Sequence, residues 1–339
     1  MTDAELIKRY RLDRAGIMLV TDLVRDNITS RSSTTNPQTT ERRRKKPLTP
    51  ETKIRVTLRY LATGKIKLGS SRQTVINVIT ETLNALSRNE IIRKYCKFPI
   101  REDDCRGKAK DFQELAGMPG VIGVIDATHI RIKAPEGNEN VYINKRGLQS
   151  INAQFVFDAK YRITNVEARW PGSSHDVWVL NQSAINLYVF EKDRVPKGYH
   201  FLADRVYPSR KWLLIPYLKP EPGPEADFNR AHKKTWSVVE RGIDQLKRRF
   251  QVLDGEITIS PTMVCQIVRV CALLHNICKD RNISIPADGD MDIDGPAEVG
   301  IDEANNNNDQ PTRALHPRAV THKHEGRLYR NTFVNLHYT

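Results

Sequence analysis

A strand-forming run that begins after Gly120 decides which class of fold this chain can adopt. Residues 121–132, VIGVIDATHIRI, are rich in β-branched side chains and predict a buried strand. Two strands, an amphipathic helix, a short strand and two long helices are predicted after it, at residues 152–158, 162–170, 175–190, 199–204, 228–250 and 261–280. This order is typical of an α/β domain with a mixed sheet.

The chain that precedes this domain is predicted to be helical. Residues 1–30 carry apolar side chains at helical spacing. Thr49 followed by Pro50 predicts the start of a helix that Gly64 ends, and another helix is predicted at residues 71–87. Two short helices around a tight connection suggest a helix-turn-helix, although many helix pairs bind nothing.

Composition divides the chain into three parts. We expect a helical N-terminal region with a helix-turn-helix-like segment at residues 1–115, the α/β domain at 116–281, and an acidic, disordered tail at 282–339. The tail contains a run of asparagines and scattered Asp and Gly, a composition that is unable to bury a core.

The distribution of charge favours a polyanionic partner. The formal net charge is +14, yet residues 282–310 hold eight acids and no Lys or Arg, so the rest of the chain is more basic than the total suggests. Such an excess favours phosphate contacts, although a soluble basic protein without a nucleic-acid partner can have the same composition. The run Arg42–Lys46 fits a nuclear localisation signal, a phosphate-contacting patch or a solvated charge run.

Membrane and secreted classes are not expected. No stretch approaches the roughly 20 apolar residues of a membrane helix. The first residues, MTDAELIKRYRLDRAG, lack the apolar segment of a signal peptide. The five cysteines are scattered and odd in number, which is typical of reduced thiols in an intracellular protein.

Two acids stand in predicted strands where a carboxylate is costly without a partner. Asp126 interrupts the apolar run of the first strand, and Asp204 ends the short strand FLAD. Strand ends are where α/β sheets collect their sites. Two-metal phosphoryl transfer needs acidic oxygen ligands from separate elements, and Mg²⁺ prefers such oxygens. Both acids are therefore candidate metal ligands.

Two further acids are candidates with weaker individual signals. Asp176 follows PGSSH at a predicted helix start, where the helix dipole favours an acid in any case. Glu240 borders the apolar stripe of the helix at 228–250, and alone it would be a solvent-facing acid. A basic wall able to neutralise DNA phosphates is predicted around it, formed by Arg230, His232, Lys233, Lys234, Arg241, Lys247, Arg248 and Arg249.

Aromatic and histidine residues near these acids are interpreted structurally. Trp178, Trp212 and Trp236 are interpreted as core anchors rather than base-stacking platforms. His129 and His175 are able to assist catalysis, although structural hydrogen bonding is the simpler interpretation.

At these residues the chain resembles the PIF/Harbinger transposases and the nucleases derived from them. The matching segments are GVIDATHIRIKAP (123–135), PGSSHDVWVLNQS (171–183), ADRVYPSRKWLLIPY (203–217), FNRAHKKTWSVVERGIDQLKRRFQVL (228–253) and ALLHNIC (272–278). The resemblance extends over residues 1–281 and includes the helix-turn-helix-like region.

The resemblance implies an RNase H-like fold of the DDE type. In it, Asp126, Asp204 and Glu240 form the catalytic, metal-binding triad, and Asp176 is a fourth acid at the metal site. The implied cofactor is Mg²⁺ or Mn²⁺, and the implied reaction is two-metal cleavage of DNA. Family members often rely on a separate Myb/SANT-like partner protein for DNA binding and nuclear import.

The sequence departs from the family at two places. Around the second Asp the family usually reads Gly-Asp-Ser-Gly-Tyr-Pro, whereas residues 203–208 read ADRVYP. Val206 lacks the backbone freedom of glycine, and Arg205 adds a cation beside a metal ligand. The connection at residues 63–75 is also shorter than the family's linker.

The leading functional hypothesis is a divalent-metal-dependent DNA endonuclease, either a transposase or its domesticated relative. The alternative is a catalytically inactive, transposase-derived DNA- or protein-binding module, and a third hypothesis is RNA processing. We expect the protein in the nucleus, with the cytoplasm as a second location, and a homo-oligomer is left open.

Overall fold

The computed structural model describes residues 1–28, 48–66, 71–190, 194–286 and 317–339. The basic run Arg42–Lys46 lies outside the described residues. The eight acids of the segment 282–310 lie outside them as well. The interpretations attached to both features stay predictions.

The N-terminal region is helical, as predicted. Its helices are α1 (Asp3–Tyr10), α2 (Arg14–Ile28), α3 (Pro50–Thr63), α4 (Arg72–Leu86), α5 (Asn89–Tyr95) and α6 (Glu102–Ala116). Thr49 caps α3 by accepting a hydrogen bond from the Thr52 N–H at 3.2 Å, and Gly64 ends the helix in the left-handed conformation. Ser71 caps α4 in the same way. DNA binding by α3 and α4 stays a prediction.

A buried lysine ties three of these helices together. The Lys53 ammonium donates to the Ile28 carbonyl at the end of α2 and to both Glu81 oxygens on α4, each at 2.8 Å. A buried ammonium needs such partners because desolvation of its charge is costly. Lys53 therefore fixes α3 between α2 and α4, and its own ammonium group is not exposed.

The sheet has five strands in the order β3-β2-β1-β4-β5. Their bounds are β1 (Val121–Arg131), β2 (Ser150–Phe157), β3 (Ile163–Pro171), β4 (His200–Ala203) and β5 (Leu213–Leu214). β1 pairs antiparallel with β2, which pairs antiparallel with β3, while β4 and β5 run parallel to β1. This mixed sheet has the RNase H-like topology, so the predicted fold class is confirmed.

Four more α-helices are described between β1 and the C-terminal helix, and the two longest pack on the sheet. They are α7 (Glu139–Tyr142), α8 (Asp176–Asn181), α9 (Pro224–Arg249) and α10 (Pro261–Asp280). α9 packs on β1 and β2, and α10 packs on β3. A Cβ added to Gly242 of α9 would lie 2.6 Å from the Phe157 ring, so this glycine lets the helix approach the sheet closely.

The prediction of one amphipathic helix at residues 175–190 is wrong. α8 is short, and a separate π-helical turn follows at Ile185–Phe190. At the break, the Ser183 hydroxyl donates to the Leu180 carbonyl at 2.6 Å and accepts from the Asn186 N–H at 3.3 Å. Such local side-chain bonds compete with the regular helix and end it.

The prediction of disorder is also wrong for the last part of the tail. Residues Pro317–His337 form α11, on which Phe333 and Val334 are buried. The Phe333 ring lies 5.0 Å from the His200 ring of β4, centroid to centroid. Gly326 lies so close to the backbone that follows β4 that it leaves no room for a side chain. Apolar side chains at helical spacing thus find a surface to bury against.

The larger of two hydrophobic core clusters among the described residues connects the regions of the chain. It extends from Leu6 of α1 to Val334 of α11 and includes residues of all five strands. The smaller cluster contains further strand residues, among them Ile125, Phe201 and Leu213. The division at residues 115/116 and 281/282 stays a prediction. Among the described residues, α10 is the helix long and apolar enough to cross a bilayer, and its burial against β3 marks it as a core helix.

Three buried histidines make the stability of the fold dependent on pH. Burial lowers the pKa of His200 and of His275 to about 3 and that of His232 to about 4, from an ordinary value of 6.5. Within the described part of the chain, neither ring nitrogen of His200 has a hydrogen-bond partner. Because the unfolded chain takes up these protons first, the stabilisation is complete above about pH 6.5 and falls as the pH drops toward 4.

We expect the free energy of unfolding to fall by about 2 kcal/mol for each buried histidine between pH 7 and pH 5. Denaturant unfolding at a series of pH values measures this slope. His200→Phe replaces an unpartnered ring with an apolar one and is expected to flatten the slope by one histidine's share. An unchanged slope in that variant would contradict the assignment.

Candidate active site

The parallel pairing of β1 with β4 places Asp126 and Asp204 next to each other. In this pair, Ile125 is in register with Ala203. The next residue in each segment is the acid: Asp126 lies in the middle of β1, and Asp204 directly follows β4. Both side chains are half-buried. β1 continues past Asp126 to Arg131, so only Asp204 stands at a strand end, where α/β sheets usually collect their sites.

Asp176 is held at the start of α8 by a contact that the sequence did not suggest. The buried Asn152 of β2 donates from Nδ2 to the Asp176 Oδ1 at 2.7 Å and to the Ser174 carbonyl at 3.0 Å. A side chain on Gly172 would collide with the Ser150 hydroxyl, so glycine is required for this loop to lie against β2. Asn152 is therefore a positioning residue for Asp176.

Glu240 comes from α9, on the side of the sheet that this helix covers. Its side chain is exposed, and it lies two residues before Gly242, where the helix makes its closest approach to the sheet. The negative charge of Glu240 contributes to the raised pKa of Asp126, so the two carboxylates interact electrostatically. Glu240 therefore lies within electrostatic range of Asp126, and its role as a metal ligand stays a prediction.

The four acids share one electrostatic environment. Burial raises the pKa of Asp126 to about 7 from an ordinary value of 3.8, although the Ala127 N–H opposes this by hydrogen bonding to the carboxylate. The charges of Asp176, Asp204 and Glu240 raise this pKa further. A carboxylate in such a position gains from a nearby cation, which would remove the repulsion.

The donor set fits a hard divalent cation in chemistry. It consists of carboxylate oxygens from separate elements, which Mg²⁺ and Mn²⁺ prefer. Among the described residues, no three His, Cys, Asp or Glu side chains meet closely enough to form a ready-made metal cage. The role of Asp126, Asp176, Asp204 and Glu240 as metal ligands therefore stays a prediction.

Tyr207 is a residue of this pocket that sequence reasoning did not single out. Its hydroxyl is buried and has no hydrogen-bond partner among the described residues. Burial raises the pKa of Tyr207 well above its ordinary value, and the charges of Asp176, Asp126 and Asp204 raise it further. The phenol therefore faces the acids as a neutral donor.

The turn after Asp204 accommodates both departures from the family motif. The Tyr207 N–H donates to the Asp204 carbonyl at 3.0 Å and closes the turn. Val206 does not adopt a positive φ, so glycine's backbone freedom is not required there. Arg205 is exposed, and its side chain forms no ion pair within the part of the chain that the structure describes.

The basic wall predicted on α9 is smaller than expected. His232 and Arg249 point into the core, where Arg249 donates to the carbonyls of Ile283 and Ser284 at 3.0 and 3.2 Å. The exposed cations of the helix are Arg230, Lys233, Lys234 and Arg241, with Lys247 and Arg248 half-buried. The buried face of α9 is wider than the spacing of its apolar residues suggested, because it also includes His232 and Arg249.

The interpretation of Trp178 as a core anchor is wrong. Its side chain is 45% exposed, although it lies on α8 only two residues after Asp176. Trp212 and Trp236 are half-buried, as their interpretation as anchors requires. Sequence spacing gives no signal for this difference because α8 is too short to show which of its faces is buried.

Comparison with known proteins identifies the family of the chain. Residues 125–276 match the family described as DDE superfamily endonuclease. The protein named "Putative nuclease HARBI1" is 34% identical in Mus musculus, over 89% of this chain and 85% of its own length. The human protein of that name is 31% identical over 86% of this chain and 83% of its own.

More distant relatives occur in plants. "Protein ALP1-like" of Arabidopsis thaliana is 27% identical over 69% of this chain and 62% of its own length. No solved structure matches the chain. With the predicted motifs, the mixed sheet and these relatives together, the chain belongs to the family of Harbinger transposase-derived nucleases within the DDE endonuclease superfamily.

Proposed function

We propose that this protein is a divalent-metal-dependent DNA endonuclease whose metal ligands are Asp126, Asp176, Asp204 and Glu240. The observation that carries the proposal is the pairing of Ile125 with Ala203, which sets Asp126 beside Asp204, together with the hydrogen bond that ties Asp176 to β2 through Asn152. The charges of Asp176, Asp204 and Glu240 also raise the pKa of Asp126, so acids from separate elements affect one carboxyl group. Membership of a DDE endonuclease family supports the same reaction class.

The residues of the pocket have distinct roles in this proposal. Asp126 and Asp204, fixed by the pairing of β1 with β4, provide the rigid side of the site. Asn152 fixes the Asp176 carboxylate by its hydrogen bond. Glu240 would contribute the metal ligand from α9. Two bound divalent cations would supply activation of a water nucleophile and stabilisation of the leaving oxygen.

Cationic side chains flank the pocket where DNA phosphates would lie. Burial lowers the pKa of His129, and the positive charges of Arg146, Lys247 and Lys145 lower it further against the opposing charge of Asp176. These cations and Asp176 therefore all lie within electrostatic range of His129. Phosphate contacts from Lys and Arg position a DNA backbone without reading its sequence.

The test is a nicking assay on supercoiled DNA with Mg²⁺ or Mn²⁺, using two matched variants of α9. We expect Glu240→Gln to lower the cleavage rate by about 10²-fold or more, because it removes one of the proposed ligands. Asp244→Asn, one turn further on the same helix and also exposed, is expected to retain cleavage.

The outcomes of this assay separate the hypotheses. Equal cleavage by the wild type and Glu240→Gln would reveal a contaminant and overturn the enzyme proposal. DNA binding without any metal-dependent cleavage would favour the inactive binding module. RNA of the same sequence, added as a competitor, distinguishes a DNA substrate from an RNA substrate.

A further inference from the structure

An exposed tryptophan stands beside the candidate site without a role in the chemistry proposed above. Trp178 is 45% exposed and lies on α8, which begins with Asp176. Single exposed apolar side chains are common on protein surfaces, so the importance of Trp178 depends on its neighbours. Because it lies two residues from a proposed metal ligand, a ligand that stacks on it would lie beside the candidate site.

The Trp178 ring packs against the ring of Trp170. Its centroid lies 4.3 Å from that of Trp170 on β3, with the two rings 76° apart in an edge-on arrangement. The Arg169 guanidinium lies over the Trp170 ring, 4.7 Å from its centroid, and donates to the Gln182 carbonyl at 2.7 Å. The exposed ring is thus supported by a fixed neighbour and loses little freedom when it binds a ligand.

A basic turn is joined to the loop that leads to Asp176 and α8. The buried Asn144 accepts hydrogen bonds from the N–H groups of Arg146 and Leu148, at 2.9 and 3.1 Å, and so fixes the turn between β1 and β2. Lys145 and Arg146 are exposed on it. The Ser173 hydroxyl, in the loop that leads to Asp176, donates to the Val141 carbonyl at 2.7 Å and joins the two segments.

Basic side chains beside an exposed aromatic ring are typical of a surface that binds single-stranded nucleic acid. The cations hold the phosphates, and the ring stacks on a base that has left its pair. A protein partner with an apolar patch would not need the cations, whose charge favours a polyanion over a neutral surface.

We propose that Trp178 is a base-stacking site that binds an unpaired nucleobase of the DNA strand beside the scissile phosphate, with Lys145 and Arg146 on the adjoining phosphates. The position relative to the scissile bond rests on the proposed function. The stacking itself does not require cleavage. A stacked base would keep the duplex locally open and present the strand to the acids.

The test measures binding of a single-stranded oligonucleotide that contains 2-aminopurine, in EDTA, where metal-dependent cleavage cannot occur. We expect Trp178→Ala to weaken binding about 10-fold and to abolish the quenching of 2-aminopurine fluorescence. Trp178→Phe retains a ring and is expected to keep binding within about threefold of the wild type. Thermal unfolding of each variant checks that the fold is intact.

The control is Leu218→Ala, which truncates another exposed apolar side chain, 75% exposed, on the segment after β5. Its binding is expected to equal that of the wild type. Wild-type binding and quenching by Trp178→Ala would overturn the proposal, as would an equal loss in Leu218→Ala. Because the assay contains no metal, a protein that never cleaves DNA can still bind the oligonucleotide and quench its fluorescence. The stacking proposal and the nuclease proposal can therefore fail independently.

Discussion

Asp126→Asn is expected to lower the rate of DNA cleavage by about 10³-fold or more while it raises the free energy of unfolding of the metal-free protein by about 4 kcal/mol. The fold raises the pKa of this carboxyl to about 7 from 3.8, mainly by burial. The ionised group therefore destabilises the fold. This cost is complete above about pH 7 and disappears below about pH 4, and asparagine removes it at any pH.

Denaturant unfolding at pH 8 in EDTA measures the stability effect, and the nicking assay measures the rate. Asp254→Asn, at an exposed position after α9, is the control and is expected to change neither quantity. A loss of stability in Asp126→Asn would show that the carboxylate is satisfied without a cation. Retained cleavage would remove Asp126 from the site.

Gly242→Ala is expected to lower the free energy of unfolding by about 1–3 kcal/mol and the cleavage rate by about 10²-fold. The added methyl group would lie 2.6 Å from the Phe157 ring, so either the ring or α9 must move. Movement of the helix displaces Glu240, which lies two residues earlier. Overpacking thus affects the fold and the site together.

Gly107→Ala is the matched control for this substitution. Gly107 is also helical, on α6, and a Cβ there would meet nothing within 4 Å. We expect this variant to be more stable by about 0.5–1 kcal/mol, because alanine favours the helix over the unfolded chain. A loss of stability equal to that of Gly242→Ala would show that the close approach to Phe157 is not the cause.

Much of the fold could be predicted because its signals are local. Thr49, Gly64 and Ser71 cap helices where their residue types suggested, and β-branched runs form β1 and the hairpin that follows. Predictions were wrong where side-chain or tertiary contacts determine the secondary structure. Ser183 interrupts an amphipathic pattern by side-chain hydrogen bonding, and α11 depends on a surface far away in the sequence to bury Phe333.

Some residues of the candidate site could also be predicted from the sequence, and others could not. Asp126 and Asp204 could be singled out from sequence because each follows an apolar strand run, and the parallel register of those runs places them side by side. The roles of Asn152 and Tyr207 could not, because both act through burial and through neighbours on other elements. The exposure of Trp178 and the shape of the basic turn depend on loop conformation, which has no periodic signal in the sequence.

The most direct test of the central claim is a calorimetric titration of the intact protein with Mn²⁺ at pH 8. We expect the wild type to bind two ions, and we expect Asp126→Asn to lose at least one of them, because the carboxylates of separate elements hold the ions jointly. Asp254→Asn is expected to titrate as the wild type does. Identical titrations of the wild type and Asp126→Asn, or no binding by either, would contradict the assignment of these acids as a metal site.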